Sequence, residues 1–306
     1  MRHRLRSRSA IPAAVVLLVL VAGCGNPGGA DGDLTGAWAA LSAPAGFVPA
    51  AGSCHLGNYS PVGSRSTYDE VDCEQSHRTE TVYVGRYTGP AGDSDVPPMD
   101  GSPAARDAYH SCDVQTTTYA GGQWHSARLW IGVTNPTAAA WTGGARWFRC
   151  DVLEISSIED DGGVVQRDET LKDALRQPAS PLLLTCYGIE VDSRGEVDTM
   201  PAASCNGRHS AEYAGLWYAG GTSSYPTSDT QWAAFHAGCR RLIAAYAGVP
   251  DDADLPYRTG VISLPGGADV WAQGDRAVRC YLWVDGAALT SSVKGKGVAG
   301  LPIQYK

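Results

Sequence analysis

The chain carries one run of cysteines twice, and this repetition limits the folds open to it more than any other feature. Cys54 and Cys73 stand 19 residues apart, as do Cys186 and Cys205. The same spacing follows each second cysteine, Cys73-x3-His77-x2-Glu80 and Cys205-x3-His209-x2-Glu212, at a constant offset of 132. Further on, Pro136, Trp141, Gly144, Arg146, Arg149 and Cys150 are matched in order by Pro265, Trp271, Gly274, Arg276, Arg279 and Cys280. Between these blocks, Cys112 followed by Tyr119-Ala120-Gly121 matches Cys239 followed by Tyr246-Ala247-Gly248. Thr170-Leu171-Lys172 has a weaker echo in Ser292-Val293-Lys294. So many ordered identities imply duplication. We expect two tandem copies, residues 46–176 and 181–300, each of a size that can hold its own core. Their joint falls near Gln177-Pro178-Ala179-Ser180-Pro181, where two prolines punctuate the chain.

Both copies read as the same order of elements. A strand carries the first cysteine, as in Leu182–Cys186, and a loop leads to the second cysteine and the histidine. A second strand follows, Thr81–Gly85 or Tyr213–Tyr218, rich in aromatic and β-branched residues. A helix comes next. In the second copy, Ser228 and Gln231 make a capping box, and Trp232, Phe235, Cys239, Leu242, Ile243 and Tyr246 recur at helical spacing. In the first copy, Ser102-Pro103 supplies the N-cap, but the helix turns polar at Gln115–Thr118. The last element is a strand, Arg146–Leu153 or Ala277–Val284. The fold class expected is α+β: two tandem copies of a small disulfide-bridged domain, each a mostly antiparallel sheet covered by one helix.

The start of the chain reads as an export signal. Residues 1–10 hold four Arg and no acid, an apolar run extends from Ala13 to Ala22, and Gly23-Cys24 follows. The run is about half the roughly twenty residues that a membrane span needs. Leu20-Val21-Ala22-Gly23-Cys24 resembles the lipobox of bacterial lipoproteins, which implies cleavage after a signal peptide of residues 1–23 and lipidation of Cys24. Two or more acyl chains give stable anchoring at the extracytoplasmic face of the cell membrane. Residues 24–45, rich in Gly, Ala and Pro, read as a flexible tether. Loss of the four Arg takes the formal charge from −8 to −12. A surface so acidic has no electrostatic footprint for nucleic acid or anionic lipid, so the membrane contact expected is the lipid itself.

Lipidation takes one of nine cysteines and leaves eight, an even number that reads in an exported chain as a disulfide framework. Four cysteines per copy allow three pairings, and the spacing does not choose among them. Element order favours Cys54–Cys73 with Cys112–Cys150, and Cys186–Cys205 with Cys239–Cys280. The first of each set closes a short excursion; the second joins a helix to the strand it covers. No two cysteines lie within four residues of each other, so the usual zinc knuckle is missing and neither a metal nor a cofactor is expected.

The blocks at Cys54, Cys73, His77, Glu80, Cys112, Trp141, Gly144, Arg146 and Cys150, and again at Cys186, Cys205, His209, Glu212, Cys239, Trp271, Gly274, Arg276 and Cys280, resemble the septum-formation domain of actinobacterial envelope proteins. The resemblance implies a place at the cell envelope and a connection with septation, with division or envelope proteins as partners. It implies no reaction. The copies differ at one point, Gly144-Ala145-Arg146 against Gly274-Asp275-Arg276. If Asp275 orients Arg276, the first copy lacks that support.

The residues with chemistry are few. His77/Glu80 and His209/Glu212 sit on a loop entering a strand, where residues three apart point away from each other. The plainer reading is that they close the loop by hydrogen bonds to backbone, ahead of catalysis or metal ligation. Arg146 and Arg276, near Trp141 and Trp271, could bind a carboxylate or phosphate. The plainer reading stacks each Arg on its Trp or ties it to a loop. No nucleophile elbow, H-E-x-x-H or phosphate loop is present. The function expected is a lipid-anchored, non-enzymatic interaction module. The competing reading is a lipoprotein that holds a small molecule or wall fragment in an Arg/Trp pocket.

Overall fold

The computed structural model describes residues 46–158 and 162–304. The signal segment 1–23, Cys24 and the tether 24–45 lie outside the described residues. The first half builds β1 (Ser53–His55), β2 (Val62–Gly63), β3 (Glu70–Val71), β4 (Thr79–Arg86), β5 (Leu129–Pro136) and β6 (Trp147–Glu154). Its helices are α1 (Gly89–Gly92), α2 (Pro103–Ala120) and α3 (Ala138–Thr142). The strands form one sheet in the order β2-β5-β6-β4-β1-β3, antiparallel except where β2 lies parallel to β5.

The second half builds β7 (Cys186–Tyr187), β8 (Glu190–Val191), β9 (Val197–Thr199), β10 (Ala202–Ala203), β11 (Ala211–Tyr218), β12 (Gly260–Pro265) and β13 (Ala277–Trp283). Its helices are α4 (Asp229–Ala247), α5 (Ala268–Ala272) and α6 (Gly297–Gly300). An antiparallel sheet runs in the order β10-β7-β11-β13-β12, and β8 and β9 pair separately. The run β1-β4-β6-β5 in the first sheet and β7-β11-β13-β12 in the second follow the same order. The register also slips at equivalent places, between Thr81 and Tyr83 and between Tyr213 and Gly215.

Strand β6 shows why the sheet buries what it does. It lies between β4 and β5, and all eight of its residues are buried. Side chains alternate faces along a strand. Phe148, Cys150 and Val152 join the apolar core under α2, with Tyr109 and Cys112. Arg149 and Asp151 fall on the opposite face, away from the helix, and must find partners there. Helix α2 turns Ala105, Ala108, Tyr109, Cys112, Thr116 and Ala120 inward at helical spacing. The polar run Gln115–Thr118 does not end it. It continues to Ala120 and stops where Gly121 takes a left-handed φ of 74°. Gly248 ends α4 in the same way at φ 73°. At the start of α4, Ser228 caps as expected, but the Gln231 side chain reaches back to the Thr227 N–H instead of that of Ser228.

The strand expected over Leu182–Cys186 is shorter. It begins only at Cys186, because the preceding leucines are taken by the first half. Arg128 N–H donates to the Leu182 carbonyl and Leu184 N–H to that of Ser126, around an isolated bridge between Ala127 and Leu183. The four disulfides are Cys54–Cys73, Cys112–Cys150, Cys186–Cys205 and Cys239–Cys280, with Cα–Cα separations of 5.1–5.3 Å. Each helix is thus pinned to the central strand beneath it, α2 to β6 and α4 to β13. Among the described residues, no helix is long and apolar enough to cross a membrane.

Candidate functional site

His77 and Glu80 meet, contrary to the expectation that they point apart. His77 precedes β4 and bridges to Arg167, so the strand pleat does not govern its side chain. Its Nδ1–H donates to the Gln75 carbonyl at 2.7 Å, and Nε2–H donates to Glu80 Oε1 at 3.0 Å. Glu80 Oε1 also accepts from the Leu171 N–H at 2.6 Å. Its Oε2 accepts from the Tyr119 hydroxyl at 2.7 Å and from that of Thr170 at 2.9 Å. Both side chains are buried to about the last percent.

The second half repeats this constellation atom for atom. His209 Nδ1–H donates to the Gly207 carbonyl at 2.8 Å, and its Nε2–H to Glu212 Oε1 at 3.0 Å. Glu212 accepts from Val293 N–H at 2.8 Å and from the Tyr246 and Ser292 hydroxyls at 2.7 Å each. Burial pushes the Glu212 carboxyl up, but bonds from His209, Tyr246, Ser292 and Val293 outweigh it and hold the group below its ordinary value. Three blocks that are far apart in each half, C-x3-H-x2-E, Tyr-Ala-Gly and Thr/Ser-x-Lys, are thus parts of one knot.

Ligand-type atoms of Cys54, His77 and Glu80 lie within 4.8 Å of one another, as do those of Cys186, His209 and Glu212. Each sulfur is in a disulfide and is no thiolate, and each His Nε2 presents a hydrogen to the carboxylate. The donor set fits a proton-bridged fastener and does not fit a cation.

Arg146 and Arg276 are likewise occupied. Their guanidinium carbons lie 4.3 and 4.6 Å from the ring centres of Trp141 and Trp271. Arg146 donates to the Trp141 and Ala145 carbonyls at 2.6 and 2.9 Å and to that of Gly92. Arg276 donates to those of Trp271 and Asp275 at 2.6 Å each. The indole N–H groups donate to the Ser94 and Ser223 carbonyls. Each Arg therefore caps the end of a short helix whose Trp fills the core. Asp275 does not orient Arg276. Its carboxylate faces the first half of the chain.

That carboxylate belongs to a seam that pattern reading missed. His125 Nε2–H donates to Asp275 at 3.3 Å, the Tyr109 hydroxyl at 3.2 Å, and Ala277 N–H at 2.9 Å. Burial pushes Asp275 up, but His125, Ala277 N–H and Arg279 together hold it below the ordinary carboxylate range. Arg279 Nε–H donates to the His125 carbonyl at 2.8 Å. Gln123 donates to the Tyr218 hydroxyl at 2.7 Å, and Ser126 shares a hydrogen with that of Tyr213. The only signal of this seam in the sequence is the departure at Ala145 against Asp275.

A second buried polar group sits on the back of the first sheet. Asp151 accepts from Thr81 at 2.8 Å, Thr134 at 3.0 Å and Arg149 at 2.8 Å. His55 Nε2–H donates to Thr81 Oγ1 at 2.9 Å, and its Nδ1 is buried without a partner. Burial, with Arg149 and His77 nearby, pulls the His55 imidazole down to about 4. Burial raises the Asp151 carboxyl against the pull of Arg149, Thr81 and Thr134. At the equivalent positions of the second half stand Tyr187, Tyr213 and Tyr281, whose rings meet edge to face.

No curated protein and no solved structure matches the chain. Residues 51–280 match, as one stretch, the model of the family described as septum formation, and that stretch takes in both His–Glu pairs, both Arg–Trp pairs and the seam. With well over half its length matched, the chain belongs to the septum-formation family.

Proposed function

We propose that this protein is a lipid-anchored extracytoplasmic component of the cell envelope that serves septum or cell-wall assembly as a non-enzymatic interaction module. Its two halves are tandem copies of one domain, residues 46–176 and 181–300, carried on a tether from Cys24. Family membership supports the septum or wall connection. One observation carries the non-enzymatic reading: the repeated polar motif residues spend their donors and acceptors inside the fold. A His and a Glu that tie a strand entry to a helix end and a distant loop are not offered to a substrate. The lipobox-like segment and the eight bridged cysteines support export and anchoring.

Proximity labelling from the protein in intact dividing cells tests the reading. Enrichment of division or wall-assembly proteins is expected, and it should fall when Cys24→Ala releases the chain to the medium or leaves an uncleaved precursor. A Cys24→Ala form that is still processed and membrane-bound, or labelling with no envelope bias, would sink it.

A further inference from the structure

The two halves differ in the link that joins β4 to α2 and β11 to α4. Each link leaves its sheet at an equivalent backbone bond, Tyr87 N–H to the Arg146 carbonyl and Ala219 N–H to that of Arg276. Each ends at the cap of the long helix, Ser102 or Ser228. The first link advances fifteen residues and the second nine, so the first half carries six residues that the shared architecture does without. The longer link holds Asp93, Asp95, Val96, Pro97, Pro98, Met99 and Asp100, whereas residues 220–227 hold no acid. A loop that outgrows the needs of its fold is where binding function collects.

The longer link is tied to the fold. Trp141 Nε1–H donates to the Ser94 carbonyl at 2.7 Å, Arg146 to that of Gly92, and Ser102 N–H to that of Met99 at 3.1 Å. Held in this way, it leaves Val96 59% and Met99 75% exposed. With Pro90, Pro97, Pro98 and Ala104 they line an apolar cleft of about 620 Å³ against the start of α2, a volume within the range of binding sites. Asp107 lines the cleft too, and Asp93, Asp95 and Asp100 adjoin lining residues in the chain. All four are exposed, and none forms an ion pair among the described residues. Two cations stand nearby. Arg106 donates to the Gly101 carbonyl with its stem near Gly274, and Arg86 shares the adjoining cleft with Asp107. Carboxylates therefore outnumber guanidiniums four to two around an apolar floor.

We propose that this cleft docks a basic polypeptide segment of a partner protein, its apolar side chains entering between the prolines and Met99 and its Lys or Arg meeting the aspartates. The carboxylates come from the end of α1, from the link itself and from the second turn of α2, so a chain bearing several cations matches them better than one small cation. They repel the anionic surface of a bilayer, which the apolar floor alone would suit. The net negative charge of the chain likewise opposes a second copy of itself. The proposal deepens the interaction-module reading and rests on it.

Fluorescence anisotropy with the purified full-length protein tests it. The probes are three labelled nonapeptides in which Leu-Trp-Leu, Val-Phe-Val or Ile-Met-Ile lies between Lys-Arg-Lys ends. One control replaces the basic ends by Glu, and the other replaces the apolar core by Ser. One-site binding of at least one probe is expected, with both controls at least tenfold weaker and the affinity falling as salt rises. Val96→Ser with Met99→Ser should weaken that probe at least tenfold, and so should Asp93→Asn with Asp95→Asn and Asp100→Asn. Both variants should keep the melting temperature, because all five side chains are exposed. No binding by any probe, a control that binds as tightly, or indifference to either variant overturns the proposal. So does a preference for phosphatidylglycerol vesicles, or self-association that Val96→Ser with Met99→Ser abolishes. Proximity labelling in cells separates this surface from the reading beneath it. Envelope partners fully retained by the Val96→Ser, Met99→Ser chain overturn the surface alone, and a wild type without such partners sinks both.

Discussion

At the scale of single residues, the His–Glu knot is the most demanding feature of the chain. Removing one partner of a buried, hydrogen-bonded pair leaves the other uncompensated, so His209→Ala should lower stability by about 3 kcal/mol. Chemical denaturation checks this, and a loss within the range of an exposed substitution would refute the fastener. Zinc should leave the wild-type melting temperature unchanged, because Cys186 is committed to its disulfide. Glu212 also sets a pH dependence. Its folded value lies below the ordinary 4.5, so its stabilisation is full above that pH and is lost as pH falls through the folded value. The deficit of Glu212→Gln against wild type should therefore shrink in acid. His55 acts at higher pH. Its folded value of about 4 lies below the ordinary 6.5, so the unfolded chain takes the proton first and stability drains as pH falls across that window. His55→Phe should flatten that part of the profile; an unchanged slope would show that the ring is not held neutral.

At the scale of elements, each helix reaches its sheet through a cysteine. Cys239 lies on the inward stripe of α4 and joins Cys280 in the middle of β13, closing a separation of 41 residues. Replacing both by Ala should lower stability by about 2–5 kcal/mol. The 19-residue pair Cys186–Cys205 should matter less, since it closes a shorter loop and holds no helix. Parallel denaturation of the two double variants checks the order, and a reversed order would contradict it. The helical stripes and the central strands were legible because the helical period and the aromatic, β-branched runs are local. The length of β7 was not. Its leucines look like a strand to any local rule, and their partners at Ser126 and Arg128 lie in the other half. The same distance hid the capture of Glu80 by Leu171, some ninety residues away.

At the scale of the whole molecule, the seam around His125, Tyr109 and Asp275 decides whether the halves unfold together. Asp275→Ala copies the residue that the first half has at the matching place, Ala145. It strips His125 and Tyr109 of their shared acceptor inside the fold. A loss of about 3 kcal/mol is expected, part of it from the bond to Ala277 N–H within the second half and the rest from the coupling between the halves. Scanning calorimetry should then resolve the single transition into two. One unaltered transition would mean that the coupling runs elsewhere. Alternation placed Asp151 and Arg149 on the side of β6 away from α2, yet their mutual pairing and the bond from Arg279 to the His125 carbonyl follow from what faces them, which no spacing encodes.

The sequence by itself determined the repeated spacing, the order of elements, the helix caps and the family, because these depend on period, on local backbone preference and on identities in line. Tertiary structure alone decided that His77 and Glu80 face each other, and that Asp275 looks across to His125 and away from Arg276. Each of these depends on segments far apart in the chain coming together, and in a buried setting the partner that arrives determines whether a charged side chain ties the fold or couples its halves.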